Sequence, residues 1–420
     1  MNREHRDSRK VFGVAFYIFI LPLNMAVGSA GVLSTLLALS LGASVAEVGV
    51  LSAANATATV VFSTLWGKLS DSSGTRKKYL AVFSLGLSSA FFALSLVKSV
   101  SLLILVYSIL AIFTSGISPV ALMLVVERCR GKNWEREVAR YISVSNLGNI
   151  CGLTANMVAV LFFDVNWLFC VSSMLCIVAL FLLWRFTEEP EITLERHPFT
   201  IRSIRSVEKM FSHFIFHFLD PRHLRLRALR MTKLKPLQLL FLACFVHWIG
   251  ITSFSVGEIP LMKRLGMSDS MILALNAIAG IVSVLAFGKI IPSLRQDRGK
   301  LIHTATILRG SFVLGWALSS LFLLYPVPYS FLLPFMLGVI WPINYAMIWL
   351  PILSYTISHS PANEKSVTQG KLVSITAIAN VIGSIFGGAV MAMLGFTVGF
   401  VLASIIIFLS MLIFSRIDFA

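Results

Sequence analysis

NATATVVFSTLWGK, residues 55–68, comes back as NAIAGIVSVLAFGK at residues 276–289. At that one constant offset Asn55 meets Asn276, Ala56 meets Ala277 and Ala58 meets Ala279. Val61 meets Val282, Gly67 meets Gly288, Lys68 meets Lys289, and Trp66 faces another aromatic, Phe287. Apolar sequence produces matches of Ala and Val by chance, so Asn, Gly and Lys carry the weight. A weaker echo links LGNICG at 147–152 with IANVIG at 378–383, each placing an Asn before a Gly. The chain reads as two copies of one unit.

Both copies are built from long apolar runs. Of the 420 residues 57% are apolar and 13% charged, with 32 Phe and a mean hydropathy of +0.85. A soluble domain carries about 25% charged residues, and one core of this size could not hide so much apolar surface. Runs longer than 18 residues identify a polytopic helical membrane protein. A secreted disulfide scaffold, a disordered chain and a soluble enzyme are excluded. Breaking the runs at charges and Gly/Pro clusters predicts twelve spans. They lie near 12–38, 46–67, 79–97, 101–126, 139–163, 166–186, 237–262, 269–291, 304–325, 329–357, 367–394 and 396–415. The first follows MNREHRDSRK, is too long for a signal-peptide core, and is kept as a span.

Twelve spans put both termini and alternate loops on one side. That side holds 31 Lys and Arg, against Lys98, Lys263 and Arg264 on the other, with Arg309 left inside a span. The positive-inside rule therefore predicts a multi-pass protein of the cell membrane with both termini cytoplasmic. The net charge of +16 points to the membrane surface, not to nucleic acid.

Residues 187–235 form the only long connection. They divide the chain into bundles at 1–186 and 236–420, joined by a basic amphipathic linker. Within the linker Ile204, Val207, Phe211, Phe214 and Phe218 recur at helical spacing, away from Arg202, Arg205 and Lys209. This predicts a helix lying on the cytoplasmic membrane surface. His213 and His217 sit at i, i+4 on it, with no third ligand evident, and read as polar residues of that helix; no metal or cofactor is expected. The five cysteines, Cys129, Cys151, Cys170, Cys176 and Cys244, lack ligand spacing and read as reduced packing residues.

A duplicated six-helix unit suits a transporter, because two pseudo-symmetric bundles can rock about a site at the bilayer midplane. GKLSDSSGTRKKYL, residues 67–80, follows span 2 directly. It resembles the signature loop of the major facilitator superfamily, with Gly67, Asp71 and Gly74 at the signature positions and a basic run behind them. GKIIPSLRQDRGK at 288–300, after span 8, is similar to a degenerate second copy. The resemblance covers nearly the whole chain. It implies an all-α fold of twelve transmembrane helices in two pseudo-symmetric six-helix bundles, working by alternating access. It also implies that the loop latches the two halves outward-facing, through a charge relay to an acid at the inner end of span 4. Arg76 and Lys77 are then the basic partners and Glu127, beside Arg128, the acid. By position Asp71 would face the start of span 11 near Ser366 and its positive helix end. This chain departs from the family pattern at Thr75, where Arg is common. It also departs in span 4, FTSGISPVALMLVVE, which carries no Arg, and at Leu153 after Gly148 and Gly152. The last two departures count against a proton-coupled drug antiporter.

Half of a roughly 30 Å core is about ten helical residues. That depth selects Asn24 in span 1, Ser115 and Ser118 in span 4, and Asn149 in span 5. It also selects His247 and Trp248 in span 7, Asn344 and Tyr345 in span 10, and Asn380 in span 11. In the family spans 1, 4, 7 and 10 line the cavity. Singly, each Asn or Ser could equally bond helix to helix. Together they suggest uncharged recognition of a small molecule between aromatic walls, Trp248, Trp341, Tyr345 and Trp349. His247 is the one midplane group that titrates near neutrality, as a coupling-proton site, a substrate ligand or a packed neutral side chain. Glu258 falls near the outer end of span 7. Arg309, five residues into its predicted span, is expected to snorkel to the cytoplasmic surface, which disfavours an anionic substrate.

The chain thus reads as a monomeric secondary or facilitative transporter of a small polar or amphiphilic solute, with H+ the candidate coupling ion. No G-x-x-x-x-G-K-[ST] loop provides for ATP. The alternatives are proton-coupled multidrug or metabolite efflux, then a non-transporting solute sensor and a membrane-embedded enzyme, the last without clustered acid–base residues.

Overall fold

The computed structural model describes residues 17–128, 134–189, 236–290, 298–325, 327–360 and 365–419. A few side chains inside the helices, those of Asp71 and Arg128 among them, lie outside the described set, as does the whole amphipathic stretch with His213 and His217.

Twelve helical spans follow one another. Span 1 is Ile20–Gly28 continued as Ala30–Ser40, and spans 2 to 6 are Val45–Ser73, Arg76–Ser95, Val100–Arg128, Trp134–Ala159 and Val165–Phe186. Spans 7 to 12 are Pro236–Arg264, Asp269–Ile290, Arg298–Ser320, Leu332–Ser358, Lys365–Leu394 and Phe396–Phe414. Eleven are long and apolar enough to cross a membrane by hydropathy alone. Span 5 falls short because Glu135, Arg136, Glu137, Arg140 and three Asn dilute its apolar residues. Span 5 packs against spans 1 and 8, and Asn156 bonds to Ser29 of span 1.

Local signals set the ends. Span 2 opens with a capping box: Ser44 Oγ accepts from Glu47 N–H and Glu47 Oε2 from Ser44 N–H at 2.8 Å. It closes at Gly74, whose φ of 72° is the left-handed turn that side chains avoid. Span 10 carries Pro342 and Pro351 inside it, the residue type at which helices kink.

The molecule is apolar outside, and its interior mixes large apolar side chains with small and polar ones. Phe162, Trp167, Tyr325 and Tyr329 are exposed at the end remote from the basic loops, and Trp184 at the basic end. These aromatics fall where membrane interfaces collect them. Ser34, Ser88, Ser173, Asn156, Ser253 and Ser404 are buried, as expected where bundles are joined by close packing and interhelical hydrogen bonds.

Each six-span half repeats the other's contacts. In the first, span 5 lies on span 1 so closely that a Cβ on Gly152 would strike the Met25 carbonyl. In the second, a Cβ on Gly383 would come within 2.6 Å of the Ile249 carbonyl, setting span 11 on span 7 in the same way. Gly152 and Gly383 are the residues that the two Asn-containing hexapeptides align.

The halves meet through span 2 on span 11 and span 5 on span 8. At the end remote from the basic loops Gly49 touches Gly388, a Cβ on either coming within 3.0 Å of the other's Cα. Symmetrically, Ser270 Oγ donates to the Met157 carbonyl at 2.8 Å. The offset of the repeat carries Gly49 onto Ser270, and the offset that aligns Asn149 with Asn380 carries Met157 onto Gly388. One contact is the image of the other. Toward the basic end a Cβ on Gly67 of span 2 or Gly370 of span 11 would meet nothing within 4 Å. The far end is closed, and at the basic end there is open space beside Gly67 and Gly370.

Candidate functional site

Three groups of residues carry polar chemistry. The first lies at the basic ends of spans 2, 3 and 4. Arg76 opens span 3, is 3% exposed, and pairs through Nη2 with Glu127 Oε1 at 2.8 Å. Its Nη1 donates to Ser70 Oγ at 2.8 Å. The residue following the second signature Gly is Thr75, yet the displaced Arg76 still reaches the acid of span 4. Glu189, just beyond span 6, accepts from the backbone N–H of Arg76 and, at 2.8 Å, of Lys77. It places a carboxylate on the positive end of span 3, where two N–H groups lack helical partners. Lys77 Nζ turns to the Trp184 carbonyl at 3.0 Å, in the last turn of span 6. The space beside Gly67 is open, a Cβ there meeting nothing within 4 Å. The side chains of Asp71 and Arg128 lie outside the described residues.

The second group joins spans 1 and 5. Asn24 Nδ2 donates to Ile20 of its own helix, and its Cβ lies where a side chain on Gly148 would begin. Asn149 fills the space beside Gly28, and Asn156 donates to Ser29 Oγ at 2.7 Å where span 1 breaks. Asn380 repeats this in the other half, accepting from Thr252 at 2.8 Å. Of the midplane Asn residues, Asn380 thus bonds helix to helix, one of the two roles open to it in the sequence, while Asn24 bonds within its own span and Asn149 packs against span 1. Ser115 is buried and bonded to Ile112 of its own span, while Ser118 is exposed beside Tyr141.

The third group occupies the middle of spans 7, 9, 10 and 12. His247 is fully buried, with Nε2 3.2 Å from Arg309 Nη1 and Nδ1 2.9 Å from Ser410 Oγ. Guanidinium can only donate, so Nε2 accepts. The imidazole proton is therefore on Nδ1 and goes to Ser410 Oγ, whose own proton goes to the Ile407 carbonyl at 2.6 Å. Every role in the chain is set by its first member. Arg309, 1% exposed, lies over the rings of Trp341 at 4.9 Å and Tyr345 at 5.6 Å. Tyr345 stacks on Trp349 at 6.3 Å, and Trp349 meets Trp248 at 5.4 Å. Asn344 is buried with its Nδ2 unbonded.

Arg309 corrects the expectation drawn from sequence. Span 9 starts at Arg298, six residues before the apolar run begins at 304, so Arg309 lies about 16 Å along the helix. That is near the middle of a roughly 30 Å core, too deep for the head group to reach the surface, and it turns inward. The one sequence signal was its standing as the sole cation within a predicted span. Glu189 had none, since an acid after a span is ordinary. Among the described residues no three His, Cys, Asp or Glu groups could hold a metal.

The sequence profile of the Major Facilitator Superfamily matches residues 14–379. No match is found among curated protein sequences. Among solved structures, the nucleoside transporter NupG superposes with a TM-score of 0.69 at 12% identity, over 96% of this chain and 98% of that one. A POT family transporter in complex with a thioalcohol-conjugated peptide gives 0.72 at 12%, over 97% and 96%. A bacterial homologue of the human lysosomal transporter Spinster, inward-facing and occupied, gives 0.70 at 15%, over 98% and 97%. At such identities the likeness is one of fold.

Proposed function

The chain belongs to the major facilitator superfamily and is a secondary transporter of small solutes, not an enzyme; from that premise we propose the working parts of its cycle. The observation that carries the reading is the pair of symmetry-related contacts, Gly49 with Gly388 and Ser270 with Met157, that close one end while the other stands apart. The basic end and both termini face the cytoplasm of a cell-membrane protein, by the distribution of Lys and Arg. The state is therefore open inward. Residues 1–186 and 236–420 rock as two bundles, with 187–235 as their linker, in a monomer.

Opening outward separates the Gly49–Gly388 seam and brings span 2 against span 11 at the inner end, filling the space beside Gly67 and Gly370. Gly67, Asp71, Gly74, Arg76, Lys77, Glu127 and Arg128 form the gate there. The buried Arg76–Glu127 pair holds spans 3 and 4 as one unit while Asp71 meets span 11. The solute binds at midplane against His247, Trp248, Asn344 and Tyr345. Asn24, Ser115, Asn149 and Asn380 set the helices that frame it, and Ser118 lines the opposite wall.

Cross-linking the closed end tests the cycle. Met157→Cys with Ser270→Cys, oxidised in proteoliposomes, should lose uptake and regain it on reduction, each single variant serving as control. Undiminished uptake through fully cross-linked protein contradicts alternating access about this seam. Asp71→Asn should impair flux with expression intact; wild-type flux would reduce the loop to a topology signal.

A proton-coupled cycle is the second reading, favoured by the hydrogen-bond chain through His247. Its Nε2 becomes free to take a proton when Arg309 moves away. His247→Gln should then abolish stimulation of uptake by a pH gradient, and unchanged stimulation removes the coupling role.

A further inference from the structure

We infer that the solute is an organic anion whose charged group is received by Arg309 and whose apolar body lies along the rings of Tyr345, Trp349 and Trp248. This rests on the transporter reading and names the class of its cargo.

The first ground is a missing charge. Arg309 is buried at midplane depth, and no carboxylate pairs with it among the described residues. Spans 7 to 12 contain only two acids, Glu258 and Asp269. Asp269 holds Lys263 at 2.6 Å. Glu258 is eleven residues beyond His247 in span 7, roughly 16 Å along the helix. A cation in the middle of a bilayer is costly unless an anion or a wet cavity relieves it. What meets Arg309 is one neutral imidazole nitrogen and two aromatic faces, which offset only part of that cost.

The second ground is the shape of what is left over. Nη1 is engaged by His247, while Nε is buried without a hydrogen bond. The Nε–Nη2 edge of the guanidinium is the fork that accepts a carboxylate or sulfonate through two parallel hydrogen bonds. His247, fixed by Ser410, holds the opposite corner and so presents that edge. Arg309 is a binding group and His247 a positioning one.

The third ground is the surroundings. Tyr345 covers Arg309 on one face and is itself 37% exposed. Rotation of this one ring would uncover the guanidinium. Behind it Trp349 and Trp248 extend an aromatic ladder from span 10 to span 7. A charged head on the arginine and a flat apolar body on the ladder is the ligand these groups complement.

The test uses the full-length protein in phosphatidylcholine vesicles, free of anionic lipid, with 2-naphthoate and its neutral counterpart 2-naphthamide as probes. Quenching of tryptophan fluorescence reports binding. The acid should bind about tenfold or more tighter than the amide. Arg309→Lys should narrow the difference, and Arg309→Gln should erase it while the amide binds as before. Equal binding of acid and amide by the wild type, binding of neither, or an acid preference surviving in Arg309→Gln overturns the assignment. Wild type and Arg309→Lys decide the matter if the Gln variant does not accumulate. Uptake from a pool of sugars, nucleosides and amino acids, measured alongside, separates the two levels. Flux of a neutral solute without acid preference removes the anion and leaves the transporter. Acid-selective binding without flux of any solute keeps the anion site and removes the transporter.

Discussion

Two arginines are buried among the described residues, and they are buried differently. Arg76 lies at the basic end of span 3, 3% exposed, with a carboxylate on one edge and a serine on another. Arg309 lies at mid-membrane in span 9, 1% exposed, with no carboxylate paired to it among the described residues. A paired charge is part of the frame, whereas a lone one is completed from outside. The first half of the molecule keeps its ion pair at the membrane edge and fills its midplane with Asn and Gly that join helices. The second half repeats that joint in Asn380 and Gly383 and adds a charge the first half lacks. Symmetry is carried by packing, and chemistry by its exception.

The sharpest way to break this contrast is to unpair Arg76. Glu127→Gln leaves a buried guanidinium without its acid and should destabilise the protein by about 3–5 kcal/mol, read as thermal unfolding in detergent. A change below about 1 kcal/mol would put Arg76 in the same class as Arg309. His247→Leu removes the only hydrogen-bond acceptor that Arg309 has among the described residues and should cost about 1–3 kcal/mol by the same measurement. Arg309→Met carries the opposite expectation: with no counter-charge abandoned, stability should hold or rise within about 1 kcal/mol, the lost ring contacts and the bared His247 Nε2 offsetting the relieved charge. A fall of the size seen for Glu127→Gln would mean an unrecognised counter-charge. Smallest is Glu189→Gln, which removes the charge from the start of span 3 but keeps a hydrogen-bond acceptor. It should cost about 0.3–1 kcal/mol, fading with added salt.

The frame was legible in the sequence because apolar length and loop charge fix helices in a membrane with little help from tertiary detail. With the first span set aside, because its leading residues lie outside the described set, ten of the other eleven begin within five residues of their expected position. The ninth is six residues early, and that error moved Arg309 from the surface to the midplane. Hydropathy misses the start because Arg298, Lys300 and His303 make the first turns of span 9 polar. The Arg76–Glu127 pair was legible from the loop motif and from the position of Glu127 alone. Glu189 was not, since capping a helix from elsewhere in the chain leaves no local pattern. Asn24, Asn149 and Asn380 were found at the right depth, but depth does not say whether a side chain faces a cavity or a neighbouring helix. That depends on helix rotation, which Gly148, Gly152 and Gly383 set by determining which faces touch.

The most direct measurement is thermal unfolding of the wild type and of Arg309→Met in rising concentrations of 2-naphthoate. A ligand that binds only the folded state raises the melting temperature with its concentration. The lone-arginine account predicts that in the wild type the acid gives a given rise at about tenfold lower concentration than 2-naphthamide, and that in Arg309→Met the acid is no more effective than the amide. Equal rises with the acid in wild type and Arg309→Met would contradict it.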